Sequence, residues 1–277
     1  MLSKFFLLLL SSLFTFNNVS NPMAINLNAT PELSAKSAIS YDLETQTISF
    51  QKNIHQRLPI ASLTKLMTLY IIMSESNLDQ EVLITQEHLN IPGSKADLKP
   101  DSTYSVLELL QASLLNSSNQ AAMALAEYNA GSEEKFVEKM NKYAKSLKLT
   151  NTSFANPIGF DHKENYSTAY DLTKLTLAIS KFHTIIDTAN KNKLTITNNK
   201  NQKTILKNTN HELQNALLLN GLKTGTTPDA GQCFIGLTSG PEKLITIVLD
   251  SKNRFLDTNN LIEYNSNFIY NDIISSL

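Results

Sequence analysis

Apolar positions follow three regimes along the chain. Residues 36–43 and 46–51 read as two short strands around a turn, carried by Ala38-Ile39-Ser40-Tyr41-Asp42 and Thr47-Ile48-Ser49-Phe50. A helix is predicted from near Ser62 through Met73. Residues 105–147 then read as helical throughout: Val106–Leu110, Ala121–Ala126 and Phe136–Met140 carry apolar residues three and four apart. Thr168 with Asp171 has the form of a capping box opening a helix to about Lys181. Beyond Lys191 the period changes. Strands are predicted at 193–197, 204–206, 222–225, 233–238 and 244–249, with Ser239-Gly240-Pro241-Glu242 as a hairpin link between the last two. A final helix is expected from about Asp257 to Ile274. Strands at both ends with helices between them imply that the N-terminal strands join the C-terminal ones in one antiparallel sheet, so the class is α+β within the broad α/β group. No repeat or low-complexity linker interrupts the pattern.

The N-terminus stands apart. Lys4 precedes an apolar run, Phe5 to Phe14, whose ten residues are too few for a bilayer that takes about 20. Residues 1–24 therefore read as a signal peptide, without a clear cleavage site, and 25–277 as the exported domain. About 250 residues suit one large domain or two intimately joined lobes. The expected location is periplasmic or otherwise extracytoplasmic, with the protein either soluble or held by an uncleaved N-terminal segment. A net charge of −1 gives no sign of a nucleic-acid partner. Cys233 is the only cysteine, which excludes an intramolecular disulfide, and its place in a predicted strand makes it a buried structural thiol. The five histidines lack H-E-x-x-H or C-x-x-C company, so neither a metal nor a cofactor is expected.

Three short motifs carry the candidate chemistry: Ser62-Leu63-Thr64-Lys65, Ser117-Ser118-Asn119 and Lys223-Thr224-Gly225. With 27 Ser and 22 Lys, a shuffled chain would hold about two S-x-x-K matches, and this one has others besides Ser62–Lys65, at Ser49–Lys52 and Ser132–Lys135. S-x-N also recurs, at Ser251–Asn253. K-T-G is rarer because the chain has only eight Gly; chance supplies it roughly once in twenty shuffles. The ordered trio is what informs.

Their flanks extend the pattern. Pro59-Ile60-Ala61-Ser62-Leu63-Thr64-Lys65-Leu66-Met67-Thr68 resembles the nucleophile segment of the D-alanyl-D-alanine carboxypeptidases, the low-molecular-mass penicillin-binding proteins. Leu98–Tyr104, Asn156–Asp161, Ser167–Leu172 and Arg254–Thr258 are similar to further segments of that family, so the likeness runs from about residue 35 to 270. The resemblance implies a β-lactamase/transpeptidase-like architecture: an antiparallel sheet flanked by helices beside an all-helical lobe, with the site between them. A β-rich second domain and an amphipathic anchoring helix, present in many relatives, are not expected here.

Acyl transfer needs a nucleophile, a base, a proton path to the leaving amine and donors for the oxyanion. Ser62 is the candidate nucleophile. As a mere helix N-cap it would call for Glu or Gln three residues on, whereas Lys65 opposes the helix dipole there. That placement would lower the lysine pKa and leave a neutral amine base one turn from Ser62. The resemblance gives Ser117 the proton relay and Asn119 the substrate amide and the orientation of Lys65. The alternative for both is a polar interhelical turn. Gln120 stands where relatives commonly carry Asp. In Lys223-Thr224-Gly225-Thr226 a strand edge can pair with an extended peptide, Gly225 allows close approach, Lys223 adds charge near Ser117, and the Thr226 amide would join that of Ser62 as the oxyanion hole. Arg254, one of only two arginines, suits a terminal carboxylate, with an ion pair to Asp257 as the alternative.

Class A β-lactamases share these motifs but add a deacylating Glu in an E-x-x-L-N segment after S-x-N. None follows Asn119, and Glu87-His88-Leu89-Asn90 is misspaced and upstream. The resemblance therefore implies a serine D-Ala-D-Ala carboxypeptidase acting through acyl-Ser62 on peptidoglycan stem peptides ending in D-Ala-D-Ala, with β-lactams as covalent inhibitors. A D,D-endopeptidase and a non-catalytic cell-wall binding module are the alternatives.

Overall fold

The two ends of the chain meet in one sheet. The computed structural model describes residues 30–210, 219–238 and 243–275, so the signal segment 1–24 and the link 239–242 lie outside the described residues. β1 (Ser37–Asp42) pairs antiparallel with β9 (Leu244–Ser251), Ser37 opposite Leu249 and Asp42 opposite Leu244. With β2 (Thr47–Lys52), β8 (Gly231–Thr238) and β7 (Leu219–Thr227) they form a five-stranded sheet in the order β2-β1-β9-β8-β7. The predicted discontinuous antiparallel sheet is thus present.

Strand alternation divides the apolar side chains between two cores. Ile39, Ile235 and Ile247 belong to the large cluster shared with the helices, while Ala38, Phe234 and Val248 face the opposite way toward Leu261. Leu261 lies on α8 (Arg254–Ser275), which packs on β8 and β9, whereas α6 (Ala169–Ile179) covers β1 and β9 from the other side. β9 is consequently buried on both faces, which is why Leu244–Leu249 reads as an apolar run.

The helical part is built on α1 (Lys65–Glu75), entered through a 3-10 turn at Ala61–Thr64. Leu66, Met67, Leu69, Ile71 and Ile72 have no exposed surface, and a helix so apolar around its girth belongs in a core. Around it stand α3 (Val106–Leu115), α4 (Asn119–Ala130) and α5 (Glu133–Ser146). Ser105 and Glu108 make a full capping box at the start of α3: each side chain accepts the other's backbone N–H.

Four departures from the predicted elements have local causes. Thr168 caps α6 by accepting the Asp171 N–H, but the Asp171 carboxylate does not return to it. It accepts instead from Asn151 N and Thr152 Oγ1, so the expected box is a single cap. α8 begins at Arg254, and Asp257 sits in its first turn. β5 (Lys193–Thr197) and β6 (Lys203–Lys207) pair with each other and stay outside the main sheet. Short elements also went unread: β3 (Glu81–Ile84), α2 (Gln86–Asn90), β4 (Ser102–Ser105) and α7 (His183–Ala189). β3 and β4 pair across α2, and four-residue strands show too little periodicity to register alone. Among the described residues, no helix is long and apolar enough to cross a membrane.

Candidate active site

The three motifs converge where the sheet edge meets the helical part. Lys65 opens α1, and its Nζ stands 2.9 Å from Ser62 Oγ, one turn back. The same Nζ donates to the carbonyl oxygen of Ile158 at 2.6 Å. Ala61, just before the candidate nucleophile, has φ +47, a left-handed conformation costly for a residue with a Cβ. Ser117 likewise has φ +56, in the bend between α3 and α4. Such strain persists only where the surroundings hold it.

Ser117 is joined from the sheet. Lys223, on β7, places Nζ 2.9 Å from Ser117 Oγ and 3.0 Å from the Thr224 carbonyl oxygen. Both lysines are almost wholly buried. Burial, and then the charge of Lys223, holds the Lys65 ammonium well below the ordinary lysine value. Burial, and then the charge of Arg254, lowers Lys223 to about 7. Among the described residues neither buried cation has a carboxylate partner, so both cannot keep their protons easily and this electrostatic arrangement favours one neutral amine.

Close backbone approach binds the parts together. A Cβ built on Gly225 would stand 3.0 Å from Ile60 O and from Ser62 N, so only glycine lets β7 lie so near the nucleophile segment. Gly159, at φ +92, presses against Ala61 from the other side; its Cβ would come within 2.0 Å of the Ala61 carbonyl oxygen. Ser62, Asn119, Gly159, Phe160 and Thr226 line a cleft of about 340 Å³ with Gly93 and Ser94 opposite.

Asn119 is the first residue of α4, capped by Ser118 Oγ accepting from Ala121 N. Its Nδ2 donates to the Pro92 carbonyl oxygen, and its backbone N–H donates to Ser94 O. Gln120 turns toward α2, giving Nε2 to Leu89 O at 3.0 Å, while its buried Oε1 has no partner among the described residues.

Not every predicted binding residue faces this cleft. Thr224 and Arg254 line a second groove of about 490 Å³ with Thr209, Gln232 and Lys252. Arg254 donates to the carbonyl oxygens of Gly225 and Cys233, to Gln232 Oε1 and to Thr226 Oγ1. It braces the strand that carries Lys223. Asp257, the alternative partner considered for it, gives its carboxylate to Ser34 N, Ser34 Oγ, Ala35 N and Ser251 Oγ.

Asn156 contributes to the site through the backbone it organises. Asn156 Oδ1 accepts from the backbone N–H groups of Ile158, Gly159 and Phe160, and its Nδ2 donates to Phe160 O. This side chain shapes the loop that presents Ile158 O to Lys65. An Asn followed by Pro and then Gly signals a side chain-organised turn, which is the trace it left in sequence. At the end of the loop Asp161 accepts from Thr227 Oγ1 at 2.5 Å and from Asp229 N, tying the loop to the β7–β8 turn.

Asp161 is the carboxylate among the cleft-lining residues, and Glu87 of the misspaced look-alike is exposed on α2. Cys233 is buried, and its thiol is pushed up to about 11 by burial, which suits a structural role. Among the described residues, no three His, Cys, Asp or Glu side chains gather as a metal site.

Known proteins share both sequence and fold with this chain. Residues 24–253 match the peptidase S11 family, described as D-alanyl-D-alanine carboxypeptidase. The chain is 35% identical over 205 residues to the D-alanyl-D-alanine carboxypeptidase DacF of Bacillus subtilis, covering 72% of this chain and 53% of that protein. It is 30% identical to the D-alanyl-D-alanine endopeptidase of Escherichia coli, over 87% of this chain and 79% of the relative. This chain spans 53% to 62% of the length of the Bacillus subtilis DacF and Escherichia coli DacC carboxypeptidases. The crystal structure of the Streptomyces K15 DD-transpeptidase superposes with a TM-score of 0.79 at 27% identity, covering 86% of this chain and 98% of that one.

Proposed function

The chain belongs to the D-alanyl-D-alanine carboxypeptidase family, and from that premise we propose that it is a serine D-Ala-D-Ala carboxypeptidase acting on peptidoglycan stem peptides. Ser62 Oγ attacks the carbonyl carbon of the penultimate D-Ala, and its proton passes to the neutral amine of Lys65. The N–H groups of Ser62 and Thr226 stabilise the oxyanion of the tetrahedral intermediate. Collapse breaks the peptide bond. The leaving amine of the terminal D-Ala takes a proton through Ser117, whose hydroxyl Lys223 polarises. Water then hydrolyses the acyl-Ser62 ester and frees the shortened peptide. Asn119 and the edge of β7 from Lys223 to Thr226 hold the peptide extended, and Arg254 supports that edge.

The observation that carries this reading is the 2.9 Å contact of a buried, pKa-depressed Lys65 with Ser62. The same groups would open the strained amide of a β-lactam. Among the described residues no glutamate lines the cleft to activate a deacylating water, so the ester should persist. Incubation with a labelled penicillin, followed by peptide mapping, is expected to find a long-lived adduct on Ser62. D-Ala should be released from a soluble pentapeptide, and Ser62→Ala should abolish both. Labelling elsewhere, or fast turnover of the drug, would overturn the assignment.

Cleavage of cross-links is the second reading, because attack on the same D-Ala carbonyl serves both. It is supported by the match to endopeptidases of Escherichia coli and Pseudomonas aeruginosa over 79% and 84% of their lengths. Release of D-Ala from a pentapeptide separates the carboxypeptidase from a non-catalytic wall-binding module, and conversion of a cross-linked muropeptide dimer to monomers does the same for the endopeptidase. Residues 1–24 as an export signal, with an extracytoplasmic location, complete the proposal.

A further inference from the structure

The hairpin β5–β6 carries a charge pattern that its own stability does not require. Between Asp187 and Glu212 the chain has five lysines (191, 193, 200, 203 and 207) and no acid. The segment thus holds +5 in a chain whose net charge is −1, leaving −6 for the remainder. All five lysines are exposed. None is in a salt bridge among the described residues. The register places Lys193 directly opposite Lys207 and Thr197 opposite Lys203, with Thr195 and Ile205 between them on the same outer face. Like charges directly opposite on paired strands repel and weaken the ladder. Ile205, 64% exposed, stands at the centre of this face. Two acids stand on the flank: Asp97 pairs with Lys99, and Glu108 accepts from Thr197 N and Ser105 N, so it sets one negative charge at one end of the hairpin against five lysines.

The face is continuous with the site. Lys207 N donates to Asn116 Oδ1, next to Ser117. Thr209 N donates to Leu115 O, and Thr209 Oγ1 accepts from Thr224 Oγ1. From there the groove of Thr209, Thr224, Lys252 and Arg254 runs along the other side of β7. A cationic track therefore leads from the strand edge that holds the peptide out along β6.

We propose that this hairpin face docks the carboxylate-bearing strands of assembled peptidoglycan, so that the enzyme is held on the polymer while one stem peptide occupies the cleft. The proposal rests on the carboxypeptidase reading for its substrate. The occupant follows from charge complementarity and from continuity with the groove. A polymer whose stem peptides repeat free carboxylates meets a row of lysines set by the ladder, and Ile205 offers an apolar spot among them. The cost of facing Lys193 with Lys207 is removed when an anion sits between them.

The test uses the full chain and the variant Lys193→Gln/Lys203→Gln/Lys207→Gln. Wild type should co-sediment with isolated insoluble peptidoglycan at low salt and be released as ionic strength rises. The variant should bind about tenfold more weakly, as expected when several screened charge contacts are lost together. Its melting temperature should not fall, because a repulsive pair is gone. Release of D-Ala from a soluble pentapeptide should stay within about twofold of wild type, since no substituted residue lines the cleft. Equal sedimentation of the two proteins overturns the proposal, as does salt-insensitive binding. Tighter binding of wild type to phosphatidylglycerol vesicles than to the polymer also overturns it, in favour of a membrane-facing hairpin. Loss of pentapeptide hydrolysis in wild type itself would count against the carboxypeptidase reading, while the sedimentation comparison still decides the docking face. Should the triple variant fail to fold, Lys207→Gln alone gives the same comparison with a smaller loss.

Discussion

Lys65 Nζ donates to the Ile158 carbonyl oxygen across 2.6 Å, joining residues 93 positions apart. The contact decides how the amine can act. A neutral amine has two hydrogens and one lone pair. With one hydrogen held by Ile158 O, the lone pair can be turned to the Ser62 hydroxyl 2.9 Å away. Once the proton has moved, the same carbonyl oxygen stabilises the ammonium.

Lys65→Arg tests that role. Guanidinium stays charged and cannot take the Ser62 proton. Acylation by penicillin should fall by about a hundredfold or more, the scale of lost general-base catalysis. Thermal unfolding should keep one cooperative transition. Acylation within a few-fold of wild type would show that Lys65 is not the base.

The two lysines give opposite limbs to the pH profile of kcat/KM. Lys65 acts deprotonated, so the rate rises with pH through its depressed pKa. Lys223 acts protonated, so the rate falls as pH passes about 7 in the free enzyme. Lys223→Arg should remove the alkaline limb, because the charge is then permanent. Arg254→Ala should move that limb to higher pH, since the Arg254 charge is one cause of the low Lys223 value. It should also lower kcat/KM for free-carboxylate and amidated donors alike, because the guanidinium holds Gly225 O and Cys233 O. A loss confined to the free-carboxylate donor would instead make Arg254 a carboxylate ligand.

Gly225→Ala probes the close approach of β7. Its methyl would stand 3.0 Å from Ile60 O and Ser62 N, both backbone atoms that cannot swing aside. The strand must retreat from Ser62 by a few tenths of an ångström. A loss of about tenfold to a hundredfold in acylation is expected, as for slight misplacement of reacting groups, with the fold retained. Comparable acylation rates and an unchanged melting temperature would show that the edge has slack.

Asn156→Ala removes the acceptor for three backbone N–H groups. Unfolding in urea should show a loss of about 2–3 kcal/mol, the scale of leaving buried donors unpaired. Acylation should fall with it, as Ile158 O drifts from Lys65. Asn156→Asp keeps the acceptor and should restore most of the stability. The added negative charge sits in the loop that presents Ile158 O to Lys65, so it favours the ammonium and should shift the rising limb of the pH profile upward. A purely structural Asn156 would leave that limb in place.

Much of this molecule was legible from order and spacing. Alternation marked β1 and β2, short apolar runs marked β8 and β9 because both of their faces are buried, and apolar residues three and four apart marked α3 to α5. Ser62 and Lys65 lie one helical turn apart, so their contact is a property of the segment itself. The tertiary structure alone decided the rest. Lys223 meets Ser117 across 106 positions, and Ile158 meets Lys65 across 93, because the sheet edge and the 156–161 loop both close on the start of α1. The depressed lysines follow from burial and from neighbouring charge, that of Lys223 on Lys65 and that of Arg254 on Lys223, which no local pattern states. Arg254 shows the difference most plainly: the sequence left a terminal carboxylate and an ion pair with Asp257 both open, whereas packing of α8 on β8 and β9 sets its guanidinium against the β7 edge. Local periodicity reports which faces are buried; only the packed chain determines which buried groups meet.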